Sequence, residues 1–157
     1  MNPQEYCTER AAPAGSSLYY AALFHSARER RALHTCFAFL EEIRGDLGRC
    51  TDPTPIGRRL LWWREQLDAT GIATSPHPLL VELRTLPITA AEITGYLVPG
   101  IGAALEELAG WQPDSDAQWR SHCHALHAGA WQLGSRVCDS QVAAEATELI
   151  GAIATLS

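Results

Sequence analysis

Apolar residues recur every three to four positions through several segments of this chain, which is the pattern of amphipathic helices. The clearest segment begins at Ser26, and Ser26 and Glu29 have the spacing of a capping box. In a capping box, each of the two side chains accepts a hydrogen bond from a backbone N–H group at the helix start. An apolar stripe follows, formed by Ala32, Leu33, Cys36, Phe37, Phe39, Leu40 and Ile43. The pattern therefore predicts a long buried helix within residues 26–50.

Capping and breaking residues divide the rest of the chain into further predicted helices. Ser16 and Ser17 can cap a short helix, and a second capping box has its two side chains at Thr89 and Glu92. We expect the helix after Thr89 to kink or break near Pro99, because proline lacks an N–H group. The other predicted helices lie in segments 56–70, 75–83, 111–138 and 140–157. The expected fold class is all-α, a bundle of about six or seven helices with short connectors.

Length and composition indicate one globular domain over residues 1–157. A hydrophobic content of 46% with a charged content of 19% is ordinary for such a domain, and the net charge of −6 argues against a nucleic-acid surface. No apolar run approaches the roughly 20 residues that span a bilayer, and the first residues lack a signal pattern. We therefore expect a cytoplasmic protein that makes at most peripheral contact with a membrane.

The spacing of cysteine and histidine gives one candidate metal cluster. The five cysteines are scattered without C-x-x-C spacing, which suits reduced thiols in a cytosol better than a disulfide framework. His127 follows His124 by three residues and Cys123 by four, so on a helix these side chains could meet one metal ion. No second ligand cluster accompanies them. Partly exposed helical histidines are therefore the favoured interpretation, and a zinc site is the alternative.

Several motifs resemble the squalene/phytoene synthase family, whose members condense prenyl diphosphates head to head. The run R-A-L-H-T-C-F-A-F-L-E-E-I at residues 31–43 is similar to the family's R-A-hydrophobic-x-A-hydrophobic-Y-A-F-x-R. Residues 6–20, Y-C-T-E-R-A-A-P-A-G-S-S-L-Y-Y, are similar to its Y-C-x-x-K-x-A-P-x-G-S-S-F-Y-Y. The resemblance covers nearly the whole chain. It implies a bundle like the N-terminal part of the isoprenoid-synthase fold, without the C-terminal part of the family fold.

The resemblance also implies a magnesium site whose ligands this chain lacks. In the family, a D-D-x-x-D motif follows the second helix and holds magnesium ions that grip the diphosphate of a prenyl donor. In register, the aspartate positions fall on Arg44, Gly45 and Gly48, none of which carries a carboxylate. The family's second aspartate motif would begin after Ser157, where the chain stops. We therefore expect no cofactor and no metal-dependent prenyltransferase activity from this chain alone.

By the same resemblance, residues near the start of the chain and one histidine are candidates for the wall of a substrate pocket. Ser16 and Ser17 match family serines that line the diphosphate and prenyl-chain pocket, and Leu18 replaces the aromatic residue that follows them. His122 falls on a family tyrosine that faces the substrate. The resemblance therefore implies that these four side chains face a common pocket.

Glu41 and Arg44 complete the candidate pocket residues. Glu41 stands where the family usually has arginine, and Arg44 stands at the first aspartate position. Arg44 could bind a phosphate directly through bidentate hydrogen bonds, without a metal. The favoured alternative is that Arg44 forms a salt bridge with Glu41 or faces water.

The favoured functional interpretation is a squalene/phytoene-synthase-like protein without metal-dependent catalysis, which binds a prenyl diphosphate, another lipid or a protein partner. One alternative is a split prenyltransferase subunit that condenses prenyl diphosphates together with a partner chain. Others are a respiratory-complex assembly factor and a truncated remnant without function. Because a bundle without its closing helices exposes an apolar groove, we expect a second copy of the chain or another protein to cover that groove.

Overall fold

Helices make up the fold in the part of the chain that the structure describes. The computed structural model describes residues 2–45, 47 and 52–138. These residues form eight helices and no strand, namely α1 (Pro3–Ala11), α2 (Ser17–Ala22), α3 (Ala27–Arg44), α4 (Pro53–Gln66), α5 (Ala69–Thr74), α6 (Pro78–Leu83), α7 (Ala90–Leu108) and α8 (Asp116–Val137). The all-α fold class is confirmed, and the helix predicted at 140–157 lies outside the described residues.

The predicted count of six or seven helices is too low, because α1 and α5 carry little apolar pattern. The side chain of Asn2 caps α1, in which only Cys7 and Ala11 are buried. α5 has six residues, is capped by Asp68 and buries only Ile72. Both helices begin at a capping side chain, but neither shows the repeated apolar positions on which the prediction depended.

The helix starts that capping residues predicted are confirmed. Ser26 and Glu29 form the capping box of α3, and Thr89 and Glu92 form that of α7. Ser16 caps α2 with its side chain. Each box satisfies backbone N–H groups that a helix start leaves without a partner, so the chain enters α3 and α7 at defined positions.

α3 lies at the centre of the bundle. It packs against α1, α6, α7 and α8, while α4 and α5 pack against α7. Ten of the 18 residues of α3 are buried, so the predicted apolar stripe does form the middle of the core. Within that core, Phe39 of α3 meets Trp63 of α4 edge to face, with ring centroids 5.6 Å apart. The cavity described below therefore has one wall on the most deeply packed helix of the fold.

α7 continues through Pro99 as a single helix. Of the kink or break expected there, the break does not occur and the kink stays a prediction. Proline removes one intrahelical hydrogen bond, the one to the carbonyl group of Gly95. On the neighbouring helix α8, Gly129 lies so close to the Tyr96 carbonyl oxygen that a Cβ atom would stand less than 3.0 Å from it. We attribute the continuity of α7 to close packing against α8, which contacts α7 at Tyr96 before the proline and at Gly100 after it.

Large apolar side chains remain exposed on two helices of the described surface. On α2 and the turn after it they are Tyr19, Tyr20, Leu23 and Phe24, and on α4 they are Leu61 and Trp62. Phe24 is 91% exposed. Among the described residues, no helix is long and apolar enough to cross a membrane. We expected a second copy of the chain or another protein to cover exposed apolar surface, and this stays a prediction.

Candidate functional site

An open cavity of about 500 Å³ lies between α1, α2, α3 and α8. Its polar lining residues are Arg10, Ser16, Ser17, Glu41, Arg44 and His127. Its larger apolar lining residues are Leu18, Phe37, Leu40 and Trp131. Small-molecule sites typically have volumes of about 300–1,000 Å³ and an apolar lining with a few polar groups. The cavity therefore has the size and the lining of a ligand pocket.

The cavity brings together five of the six residues that the resemblance placed on a pocket wall. Ser16, Ser17 and Leu18 come from the start of α2, whereas Glu41 and Arg44 come from the last turn of α3. Helix packing brings these two segments to one cavity although they are far apart in the sequence. The common location is a geometric finding, and the role that the resemblance gives each residue stays a prediction.

α2 presents its polar start and one apolar face to the cavity. The Ser16 Oγ atom accepts the Tyr19 N–H at 3.1 Å, which caps the helix and leaves the Ser16 O–H able to donate. Leu18 and Ala21 are three residues apart, hence on one face of the helix, and both line the cavity. A ligand would therefore meet hydroxyl groups at the start of α2 and apolar side chains along it.

Arg10 lines the cavity from α1 but is held by a carboxylate that does not line it. Its Nε atom lies 2.9 Å from Oε1 of Glu42, and the Tyr6 hydroxyl donates a hydrogen bond to the same oxygen at 2.7 Å. Burial and this hydrogen bond raise the pKa of Tyr6 well above its usual value, so Tyr6 remains a donor. The Glu42 carboxylate therefore offsets the positive charge of Arg10.

Arg44 has no carboxylate partner in the part of the chain that the structure describes. It follows Glu41 by three residues on α3, so both side chains start from the same face of the helix. The salt bridge between these two residues that the sequence left open does not form. As far as the described residues are concerned, the guanidinium donors of Arg44 are left for water or for a ligand in the cavity.

His127 is a buried histidine on the wall of the same cavity. It is 3% exposed, and no described group forms a hydrogen bond with its Nδ1 atom. Burial and then the positive charge of Arg44 lower the pKa of His127 to about 4, so its ring is neutral at pH 7. A buried ring nitrogen without a partner destabilises the fold unless water or a ligand satisfies it. The Nδ1 atom has almost no accessible surface, so His127 contributes a neutral ring to the cavity wall and not an accessible polar contact.

Arg10, His127 and Trp131 line the cavity but were not predicted as pocket residues. Arg10 stands at the lysine position of the Y-C-x-x-K motif, so the basic character of that position was the available signal. His127 precedes Trp131 by four residues on α8, which places both side chains on one helix face. That spacing was also visible in the sequence, but it does not say what the face contacts.

His122, the remaining candidate pocket residue, does not line this cavity. Its ring stacks on that of Trp111, with centroids 4.0 Å apart. Its Nε2 atom lies 3.0 Å from Oε1 of Glu107, and its Nδ1 atom lies 3.3 Å from Oε2 of Glu106. These contacts join the first half of α8 to the end of α7. The structure thus gives His122 a packing position between two helices.

Among the described residues, no group of three or more His, Cys, Asp or Glu side chains is placed to hold a metal ion. Cys123 is buried and His124 is half-buried on α8. The cavity lining includes one carboxylate, that of Glu41, beside two guanidinium groups. Mg²⁺ takes several oxygen ligands, so this donor set does not fit the family's magnesium ions. Gly48, the third expected aspartate position, lies outside the described residues.

Comparisons of the chain with protein-family models, with curated proteins and with solved structures found no match. The squalene/phytoene synthase resemblance therefore depends on the motifs quoted above, and membership in that family stays a prediction. What the cavity can bind follows from its own side chains.

Proposed function

We propose that this chain binds an amphiphile with a phosphate-type head group and an apolar tail, such as a prenyl diphosphate, without a divalent metal. The site is the cavity between α1, α2, α3 and α8. The observation that carries the proposal is Arg44, whose guanidinium group has no carboxylate partner among the described residues and lines a cavity with a mainly apolar wall. The family resemblance suggests the same class of ligand.

Arg44 supplies the main contact to the head group in this proposal. A guanidinium group can donate two parallel hydrogen bonds to phosphate oxygens, and its charge is permanent. The hydroxyl groups of Ser16 and Ser17 can donate further hydrogen bonds from the start of α2. His127 adds a neutral ring to the same wall, because its lowered pKa leaves it uncharged at pH 7. Glu41 opposes anion binding, because its carboxylate lines the same cavity.

The apolar wall supplies the contact to the tail. Phe37 of α3 and Trp131 of α8 meet edge to face with ring centroids 4.5 Å apart, and Leu18 lines the cavity from α2. Removing apolar surface from water contributes roughly 25 cal/mol per Å². The tail therefore provides much of the affinity, while the polar groups select the head group and orient the ligand.

The proposal does not include catalysis. Ionisation of a prenyl diphosphate leaves negative charge on the departing diphosphate, and in the family magnesium ions offset that charge. Within the described cavity lining, Glu41 is the one carboxylate that could hold such an ion. No contact or cluster of the described residues favours the split-subunit or assembly-factor alternatives. Both alternatives remain predictions from the sequence.

The test is calorimetric titration of farnesyl diphosphate into the purified 157-residue chain, in EDTA and again with Mg²⁺. The expected result is binding with the same affinity in both buffers. Farnesol and inorganic diphosphate, titrated separately, are each expected to bind more weakly, because each lacks one of the two parts that the cavity recognises. Binding that requires Mg²⁺ would contradict the proposal and favour the split prenyltransferase subunit.

A pair of substitutions tests where in the cavity the head group of the ligand binds. Arg44→Gln removes the charge and is expected to weaken binding by about 10- to 100-fold, the range for a charged hydrogen bond. Glu41→Gln removes the repulsion and is expected to strengthen binding. Arg120→Gln changes an exposed arginine outside the cavity lining and serves as the matched control. If Arg44→Gln and Arg120→Gln bind the ligand equally well, the head group does not lie at Arg44.

A further inference from the structure

The end of α2 and the turn after it expose several large apolar side chains. Tyr20 is 57% exposed, Leu23 is 50% exposed and Phe24 is 91% exposed. Tyr19 lies beside them, and its ring meets the Tyr20 ring edge to face at 5.3 Å. We call residues 19–30 the docking surface. Its tyrosines combine a large apolar ring with a polar hydroxyl, the combination that is enriched where one side meets lipid and the other meets water.

Basic side chains flank these apolar residues in a protein that is acidic as a whole. The net charge of the chain is −6, yet Arg28 and Arg30 follow Phe24 within six residues. No salt bridge joins either arginine to another residue in the described ranges. Glu29 lies between them and keeps its negative charge in the capping box with Ser26, so residues 24–30 carry a net charge of +1 with histidine neutral. The surface beside Phe24 is therefore locally positive and complements an anionic partner.

We infer that the docking surface binds an anionic lipid membrane. Tyr20, Leu23 and Phe24 enter the interface between head groups and acyl chains, while Arg28 and Arg30 contact anionic head groups. Binding of this kind depends on buried apolar area together with attraction between basic side chains and anionic lipids. The long arginine side chains can keep their charge at the head groups while their stems lie along apolar surface.

The docking surface is continuous with the cavity, because α2 belongs to both. Leu18 and Ala21 of this helix line the cavity, whereas Tyr20 and Leu23 are exposed. A membrane bound at the docking surface would therefore lie next to one wall of the cavity. This step depends on the proposed function and extends it, since it identifies the membrane as the source of the amphiphile.

The size of the surface favours a membrane over a second copy of the chain. α2 has six residues and is therefore about 9 Å long. A stable protein–protein interface buries about 800 Å² on each partner, from about 20–30 residues. Four large apolar side chains on such a short segment fall well short of that size. Insertion of a few side chains into a membrane interface needs no comparable area.

The test is flotation of the full chain with vesicles of phosphatidylcholine containing about a third phosphatidylserine, compared with pure phosphatidylcholine vesicles. The chain is expected to float with the anionic vesicles, more weakly with the neutral ones, and less as the salt concentration rises. The Arg28→Gln, Arg30→Gln double variant is expected to lose about fivefold in binding for each arginine. A chain that binds neither kind of vesicle overturns the inference.

Two leucines provide a matched pair of variants. Leu23→Ser changes the docking surface, and Leu61→Ser changes a leucine on α4 that is 40% exposed. Leu23→Ser and Phe24→Ser are each expected to reduce vesicle binding, by about tenfold for the phenylalanine, whereas Leu61→Ser should bind as the parent does. Equal losses from both leucine variants, or none from Phe24→Ser, overturn the inference. The inference is also overturned if the chain does not bind vesicles but forms a dimer that the Phe24→Ser substitution dissociates.

The two proposals fail separately. Arg44→Gln is expected to lose farnesyl diphosphate and keep vesicle binding, because Arg44 lines the cavity and is not part of the docking surface. Phe24→Ser is expected to lose vesicle binding and keep calorimetric binding of farnesyl diphosphate in the absence of vesicles. Loss of vesicle binding in Arg44→Gln would overturn the inference while leaving the cavity proposal intact.

Discussion

At the scale of single residues, Glu82 shows how a buried charge is accommodated in this fold. Its side chain is 2% exposed, and Arg31 donates two hydrogen bonds to it, from Nε at 2.6 Å and from a terminal nitrogen at 2.9 Å. Such a bidentate contact is among the stronger pairings in proteins. Arg31 belongs to a run of arginines with Arg28 and Arg30, but its contact joins α3 to α6, 51 residues away. It is therefore a structural residue.

We predict that Arg31→Met lowers the free energy of unfolding by about 2–3 kcal/mol, because it leaves the Glu82 carboxylate buried without its partner. Adding Glu82→Leu should recover part of that loss, since the unpaired charge is then gone. Urea denaturation followed by circular dichroism measures both changes. The control is Arg136→Met, whose partner Glu92 lies 4.0 Å away on the exposed surface and contributes less than about 1 kcal/mol. Equal effects of the two arginine substitutions would contradict the prediction.

His127 makes the stability of the fold depend on pH. Its pKa is about 4 in the folded chain, against about 6.5 for an unfolded histidine, so between these values the unfolded state binds more protons. The contribution is fully present above pH 6.5 and is lost as the pH falls toward 4. His127→Gln removes it, and we predict that between pH 7.5 and pH 5 the parent loses up to about 2 kcal/mol more than the variant. Urea denaturation of both proteins at the two pH values tests this. If the parent and the variant lose the same free energy of unfolding, water reaches the His127 ring and the prediction is wrong.

At the scale of helices, the contact between α7 and α8 depends on one glycine. Gly129 has the Tyr96 carbonyl oxygen where a larger residue would place its Cβ atom, and the obstacle is backbone, which cannot swing aside. We predict that Gly129→Ala forces the two helices apart and costs about 2–3 kcal/mol of stability. The matched control is Gly102→Ala, because Gly102 is exposed on α7 and a Cβ atom there meets nothing within 4 Å. This control should raise stability by up to about 1 kcal/mol.

Thermal unfolding of the two alanine variants measures this difference directly. The midpoint temperature is expected to fall for Gly129→Ala and to rise or stay constant for Gly102→Ala. A Gly129→Ala variant as stable as the parent would mean that α7 and α8 can separate at little cost. The continuity of α7 through Pro99 would then need another explanation, because the close contact with α8 is the support that we assign to it.

At the scale of the whole molecule, features that depend on neighbouring residues were predictable from the sequence. The capping boxes at Ser26 and Thr89 and the buried stripe of α3 are of this kind, and the structure contains all three. The helices α1 and α5 were not predicted, because each buries only one or two of its own residues against neighbouring helices and so lacks a repeated apolar pattern. The sequence predicted a kink or a break at Pro99, and the break is absent for a related reason. A local rule about proline does not include the packing of α8 against α7.

Features that depend on packing between distant segments could not be predicted from local pattern. The resemblance assigned Ser16 and Arg44 to one pocket, and both residues line one cavity in the structure. The helix contacts that bring them together cannot be read from the spacing of residues in the sequence. His122 and His127 are five residues apart, hence about 140° apart around α8, so they cannot share one face. The sequence showed that angle, but only the fold shows that the cavity lies on the side of His127.

Ligand binding should therefore slow hydrogen exchange in segments that are distant in sequence and neighbours around the cavity. α1, α2, the second half of α3 and the middle of α8 line the cavity, whereas α4 and α5 do not. With saturating farnesyl diphosphate, we predict slower exchange in peptides from these four regions and a much smaller change in α4 and α5, as measured by mass spectrometry at short exchange times. Short times report local opening, so general stabilisation by a bound ligand contributes little. At the same ligand concentration, Arg44→Gln should reduce the protection, because it binds the ligand more weakly. Protection centred on α4 and α5 would place the ligand elsewhere, and the cavity would then have to be abandoned as its site.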